Sequence, residues 1–135
     1  SGLEYLGTPN QQIGDGGIIF QIRESISRKI VTLSDSSWKM KVGNRAPVNP
    51  ECEKSIEPDR DCKYSDFAIP NNWYSTTFID KGWTNALIYS ASEVGPKDGY
   101  NLISWLPEAK FIWGSDLKLD NVVYLRKKIL SASTK

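Results

Sequence analysis

The chain contains no histidine, and that absence excludes more chemistry than any residue present supports. Histidine is the commonest general base, the usual partner of a Ser or Cys nucleophile, and the commonest nitrogen ligand for metals. A carboxylate-pair glycosidase would still be open, but such sites generally need more scaffold around the cleft than 135 residues offer. The expectation is therefore a protein that is not an enzyme. Long apolar runs are also missing. No stretch approaches the length of about 20 residues that crosses a bilayer, so no membrane insertion is expected. Nor is there an excess of one charge: 17 Lys and Arg face 16 Asp and Glu, intermixed along the chain. Neutralising phosphates needs a basic face, so no nucleic-acid partner is expected either.

Cysteine is scarce, with Cys52 and Cys62 standing ten positions apart in the polar stretch from Asn49. An even count in a hydrophilic setting predicts a disulfide that closes a short surface loop, worth about 2 to 3 kcal/mol in the chain-entropy model. Such a bond points to an oxidising compartment, hence a secreted or extracellular protein. A zinc site is a poor alternative, because two thiolates without histidine make half a tetrahedral shell. Two reduced thiols in a cytosolic chain are the other reading. The opening Ser1-Gly-Leu-Glu4 carries neither the charged nor the apolar region of a signal peptide. Either a processed chain or a module of a larger protein is expected.

What the chain has in quantity is β-branched segments separated by turn residues. Residues Gly17 to Ile22, Lys29 to Leu33, Trp38 to Val42, Ala86 to Ala91, Lys110 to Trp113 and Asn121 to Arg126 read as strands, and Thr76 to Ile79 as a turn or strand. Residues 43–72 read as one long cysteine-bearing insertion loop, rich in Asn, Pro, Asp and Glu. No segment keeps a helical period over three turns. Short strands with frequent turns predict a single domain over 1–135, all-β, built as an antiparallel β-sandwich.

Five tryptophans are many for this length, and three close short recurring phrases: Ser34-Asp-Ser-Ser-Trp38, Phe78-Ile-Asp-Lys-Gly-Trp83 and Phe111-Ile-Trp113. In this order, and with Tyr124-Leu-Arg-Lys-Lys-Ile129 closing the set, the phrases resemble the galactose-binding-like jelly-roll domains that accompany glycoside hydrolases and many extracellular proteins. The resemblance spans about two thirds of the chain. Ile79, where the family often has aspartate, and the insertion before Trp73 depart from the pattern. The resemblance implies a jelly roll with Trp38, Trp83 and Trp113 in its core, Asp35 and Asp80 fixing turns, and a carbohydrate-binding role. Arg126 is expected to pair with a carboxylate at a sheet end.

The ligand candidates lie outside those phrases. Trp73 and Tyr74, with Asp98, Tyr100, Asn101 and Trp105, combine flat aromatic faces with amide and carboxylate partners for hydroxyls. Capping of the sheet ends is the alternative role, and it suits Trp73 and Tyr74 better. Domains of the resembled type often carry a structural calcium, for which Asp116, Asp120 and Asn121 supply oxygens; a solvated turn suits their spacing better. The expected partner is a glycan or polysaccharide, bound without catalysis. Contact with other extracellular proteins, through the loop around Cys52 to Cys62, is the rival expectation.

Overall fold

A computed structural model describes residue 14 and residues 16–130. The expected β-rich class is observed, in eight short strands whose pairings are all antiparallel. Strand β1 (Gln21–Arg23) pairs with β2 (Ile30–Leu33), and β6 (Leu87–Tyr89) with β7 (Phe111–Trp113). The largest sheet is built on β3 (Lys39–Arg45). Along one edge β3 pairs with β8 (Asp120–Arg126) from Lys39↔Arg126 to Arg45↔Asp120. Its other edge is shared by β4 (Ser65–Asp66), against Asn44 and Arg45, and β5 (Thr84–Asn85), against Lys39 and Met40.

The core follows from that pairing. Met40 of β3, Ala86 and Ile112 of β7 form its buried centre, with Phe20, Trp38, Val42, Val123 and Leu125 packed around them. Ile112 is wholly buried, and its backbone also bridges to Ile18. Trp83 is buried, whereas Trp38 and Trp113 are half-buried and use their indole N–H groups as ties. Trp38 donates to the Leu33 carbonyl at 2.9 Å and Trp113 to the Asp120 carbonyl at 2.7 Å. A half-buried indole with a satisfied N–H suits the end of a short strand, where apolar face and polar edge meet different surroundings.

Two turns match their expected residues. Asp35 accepts the Ser37 amide at 2.8 Å, closing an Asx turn before β3. Arg126 does pair with a carboxylate: its Nη1 lies 3.0 Å from Asp80 Oδ2 and its two Nη groups also donate to the Phe78 and Ser75 carbonyls, while the guanidinium sits over the Phe78 ring. Of Thr76 to Ile79, Thr76 and Thr77 lie in a turn and none of the four is in a strand.

Residues 43–72 are more ordered than a loop. Strand β3 runs on to Arg45, β4 lies inside the stretch, and a 3-10 turn (Pro50–Lys54) and the one-turn helix α1 (Pro58–Asp61) follow proline starts. Prolines lower the cost of such turns by presetting φ. The Asn49 side chain joins the two ends, donating to the Asp61 carbonyl at 2.8 Å and accepting the Lys63 amide at 2.8 Å. Side-chain closures of this kind leave no hydrophobic period to read.

At the far end of β3, Asp120 is the polar centre. Its fully buried carboxylate receives Arg45 Nε at 2.6 Å, the Ser115 hydroxyl at 3.2 Å and the Asp116 amide at 3.0 Å. Gly114 is required beside it, because a Cβ there would collide with the carboxylate. Tyr89 donates its hydroxyl to the Gly114 carbonyl at 2.6 Å. Burial first, and then the carboxylates of Asp120, Asp116 and Glu93, push the Tyr89 phenol above its ordinary value.

Removing Arg45 would leave the Asp120 charge buried with only neutral donors. Arg45→Met is expected to cost about 3 kcal/mol in urea denaturation. Because the folded state holds the Tyr89 proton more tightly than the unfolded chain, that contribution is complete below about pH 10 and is lost as pH climbs through the raised folded value. Tyr89→Phe should lower stability by about 1 kcal/mol at neutral pH and flatten its fall above pH 10; an unchanged alkaline slope would show that Tyr89 is not its source.

Candidate functional site

Tyr100 and Trp105 stand together. Their rings are stacked with centroids 6.0 Å apart and planes 21° from parallel, and Tyr100 leans on the buried Phe111 at 5.3 Å. Tyr100 opens the 3-10 turn Tyr100–Leu102, entered through Gly99. The Trp105 indole N–H donates to the Tyr100 carbonyl at 3.0 Å, which fixes the second ring relative to the first. Two rings held this way lose little rotamer freedom when something binds against them.

The pair lines an open cavity of about 440 Å³, completed by Gly16–Ile19, Val94–Lys97, Gly99, Ile103 and Phe111. Helix α2 (Ala91–Val94) brings Val94 to its rim. A capping box starts α2: Ser90 Oγ accepts the Glu93 amide at 3.2 Å, and the Glu93 carboxylate accepts the Ser90 amide at 2.7 Å. The Ser90 amide and hydroxyl hold the Glu93 carboxyl below its ordinary value. Gly95 then ends the helix in the left-handed region. Gly17, at φ 114°, passes so close to α2 that a Cβ would lie 2.9 Å from both Val94 methyl carbons. Only glycine suits both that conformation and that approach.

A second cavity of about 470 Å³ adjoins the first at Ile19, Ile103 and Trp105 and adds Phe20, Gln21, Arg23 and Arg28. The Gln21 amide joins the two sides, donating to the Ser104 carbonyl and accepting the Leu106 amide, each at 3.1 Å. The charged side chains lining this double trough are Lys97, Arg23 and Arg28. Among the described residues no carboxylate lines either part.

The other expected residues lie elsewhere. Asp98 and Asn101 are exposed beside the first cavity but do not line it. Trp73 stacks on Trp83 at 6.4 Å and meets Tyr124 edge-on at 5.1 Å, which is a packing role. Tyr74, 76% exposed, touches Trp73 edge-on. Neither lines the trough. Arg23, Arg28, Lys97 and Val94 do, and no local sequence signal marks them, since Arg23 ends β1, Val94 ends α2, and Arg28 and Lys97 stand in the segments that follow them.

The oxygens considered for calcium serve the fold. Asp116 accepts the Lys118 and Leu119 amides at 2.8 and 2.9 Å, Asp120 holds Arg45, and Asn121 donates to Asn44 Oδ1 at 3.2 Å. Among the described residues no three His, Cys, Asp or Glu side chains gather in a metal-sized group, and no helix is long and apolar enough to cross a membrane.

The expected Cys52–Cys62 disulfide is formed, with an S–S distance of 2.03 Å. Neither cysteine lines the trough. Cys52→Ser with Cys62→Ser should therefore lower stability by about 2 to 3 kcal/mol while leaving any binding in the trough intact; denaturation and titration of the same variant check both halves. No family model, curated protein or solved structure matches this chain.

Proposed function

We propose that the chain is a non-catalytic glycan-binding module of a secreted or cell-surface protein, and that sugar rings stack at Tyr100 and Trp105. The observation that carries this reading is the preorganised aromatic pair on an open trough. An aromatic face matches the apolar face of a pyranose, and the turn backbones beside it offer amides and carbonyls to ring hydroxyls. Among the described residues no carboxylate lines the trough to supply acid and base, which favours binding over hydrolysis. A galactose-binding-like jelly roll is the scaffold we infer, on the tryptophan phrases and the small antiparallel sheets. The disulfide supports export to an oxidising compartment. Single-site affinity would be modest, so neighbouring copies or modules would add avidity.

One observation favours a second reading, contact with another protein. Ile56, within the disulfide-closed loop, is 97% exposed. An apolar side chain on a covalently tied loop makes a low-entropy anchor for a partner.

A glycan array read alongside intrinsic tryptophan fluorescence tests the first proposal. A defined sugar should shift or quench the emission, and Trp105→Ala should abolish binding with the fold retained. Silence across neutral, acidic and amino sugars would remove the glycan reading. Protein capture lost on replacing residues 50–62 but unaffected by Trp105→Ala would establish the second.

A further inference from the structure

Resting on the glycan reading, we propose that the ligand is an anionic polysaccharide, whose carboxylate or sulfate groups meet Arg23 and Arg28 beside Trp105. The two cavities share Ile19, Ile103 and Trp105, so a chain whose ring stacks on the aromatic pair has its neighbouring residue within the arginine-lined part. Lys97 lines the other part, which places cations on both sides of the stack.

Arg28 is the telling residue. It occupies the left-handed region at φ 61°, the only non-glycine residue with positive φ among the described ones. Glycine or asparagine would meet that turn at lower free-energy cost. A long cation that lines the trough stands there instead, and backbone strain of this kind gathers at binding sites. The turn is firmly made: the Glu24 amide donates to the Lys29 carbonyl at 2.9 Å and the Arg28 amide to the Glu24 carbonyl at 3.0 Å.

Arg23 is set by the same turn. Its Nη1 donates to the Arg28 carbonyl at 3.1 Å, which engages one of the five N–H donors a guanidinium carries. The forked geometry of those donors fits two oxygens of one carboxylate or sulfate. Glu24 is the acid on this turn, and its exposed carboxylate accepts the Ile26 and Ser27 amides. The Ser27 hydroxyl and amide, then the Ile26 amide, hold it below its ordinary value, so it stays charged but engaged. It does not line the cavity.

Calorimetric titration of the full chain with polygalacturonate, dextran sulfate and neutral dextran, each at low and moderate salt, tests the proposal. At least one polyanion should bind more tightly than neutral dextran, with affinity falling as salt rises; which polyanion binds distinguishes carboxylate from sulfate. Arg28→Gly and Arg23→Gln should each weaken that binding by about tenfold, the loss of one charge-assisted contact. Arg28→Gly relieves the positive φ, so its thermal stability should hold or rise, which separates lost binding from lost folding. Lys128→Gln, outside both cavities, should change nothing. Equal binding of neutral dextran and polyanions, unaltered affinity in both arginine variants, or an equal loss in Lys128→Gln would overturn the inference. If neutral dextran alone binds and Trp105→Ala abolishes it, the glycan reading stands and the anionic one falls. Polyanion binding that survives Trp105→Ala would sink both.

Discussion

The contact between Asp120 and Arg45 is the constraint on which the architecture turns. These residues are register partners at the end of the long β3–β8 pairing, and the carboxylate is fully buried. A charge in that position is tolerable only with a cation and further donors around it. Arg45, Ser115 and the Asp116 amide supply them, so satisfying one carboxylate brings together β3, β8 and the 114–116 turn. The Trp113 indole then closes on the Asp120 carbonyl, attaching β7 to the same point.

Attachment of β7 has consequences for the trough. Ile112 fills the core beneath β3 and bridges to Ile18, which brings the Gly16–Ile19 segment alongside α2. Phe111, next along the strand, supports Tyr100 from behind. The aromatic pair thus stands on loops, but loops that rest on a paired and buried strand. Binding surfaces commonly combine variable loops with such a rigid frame. At the opposite end of β8, Arg126 organises the Ser75–Asp80 turns and leaves Trp73 stacked on Trp83.

Much of the strand content was legible because β-branched runs between turn residues have few other outcomes. The segments at Lys29–Leu33 and Asn121–Arg126 fall within one residue of the observed β2 and β8. The Cys52–Cys62 bond was legible from the even cysteine count in a polar stretch, and the turn at Asp35 from its place in a tryptophan phrase. The interior of 43–72 was not. Its order comes from Asn49 bridging the loop ends and from a two-residue strand, neither of which imposes a period on the sequence. At the trough, Tyr100 and Trp105 could be singled out as aromatics among turn residues, whereas no local pattern sets Arg23 and Arg28 apart from the other charges of the chain.

By itself, the sequence determined the class of structure and the chemistry excluded: short antiparallel strands, one disulfide, and no imidazole for catalysis or metal binding. These follow from residue type and local pattern, which act over a few positions of the chain. Tertiary structure alone decided which aromatics share a surface and which charges accompany them. Trp73 and Trp105 have similar surroundings in sequence, yet one stacks on Trp83 and the other lines an open trough. The difference arises from contacts between residues tens of positions apart, Gln21 with Ser104 and Ile18 with Ile112, and such contacts are set by packing rather than by any local pattern.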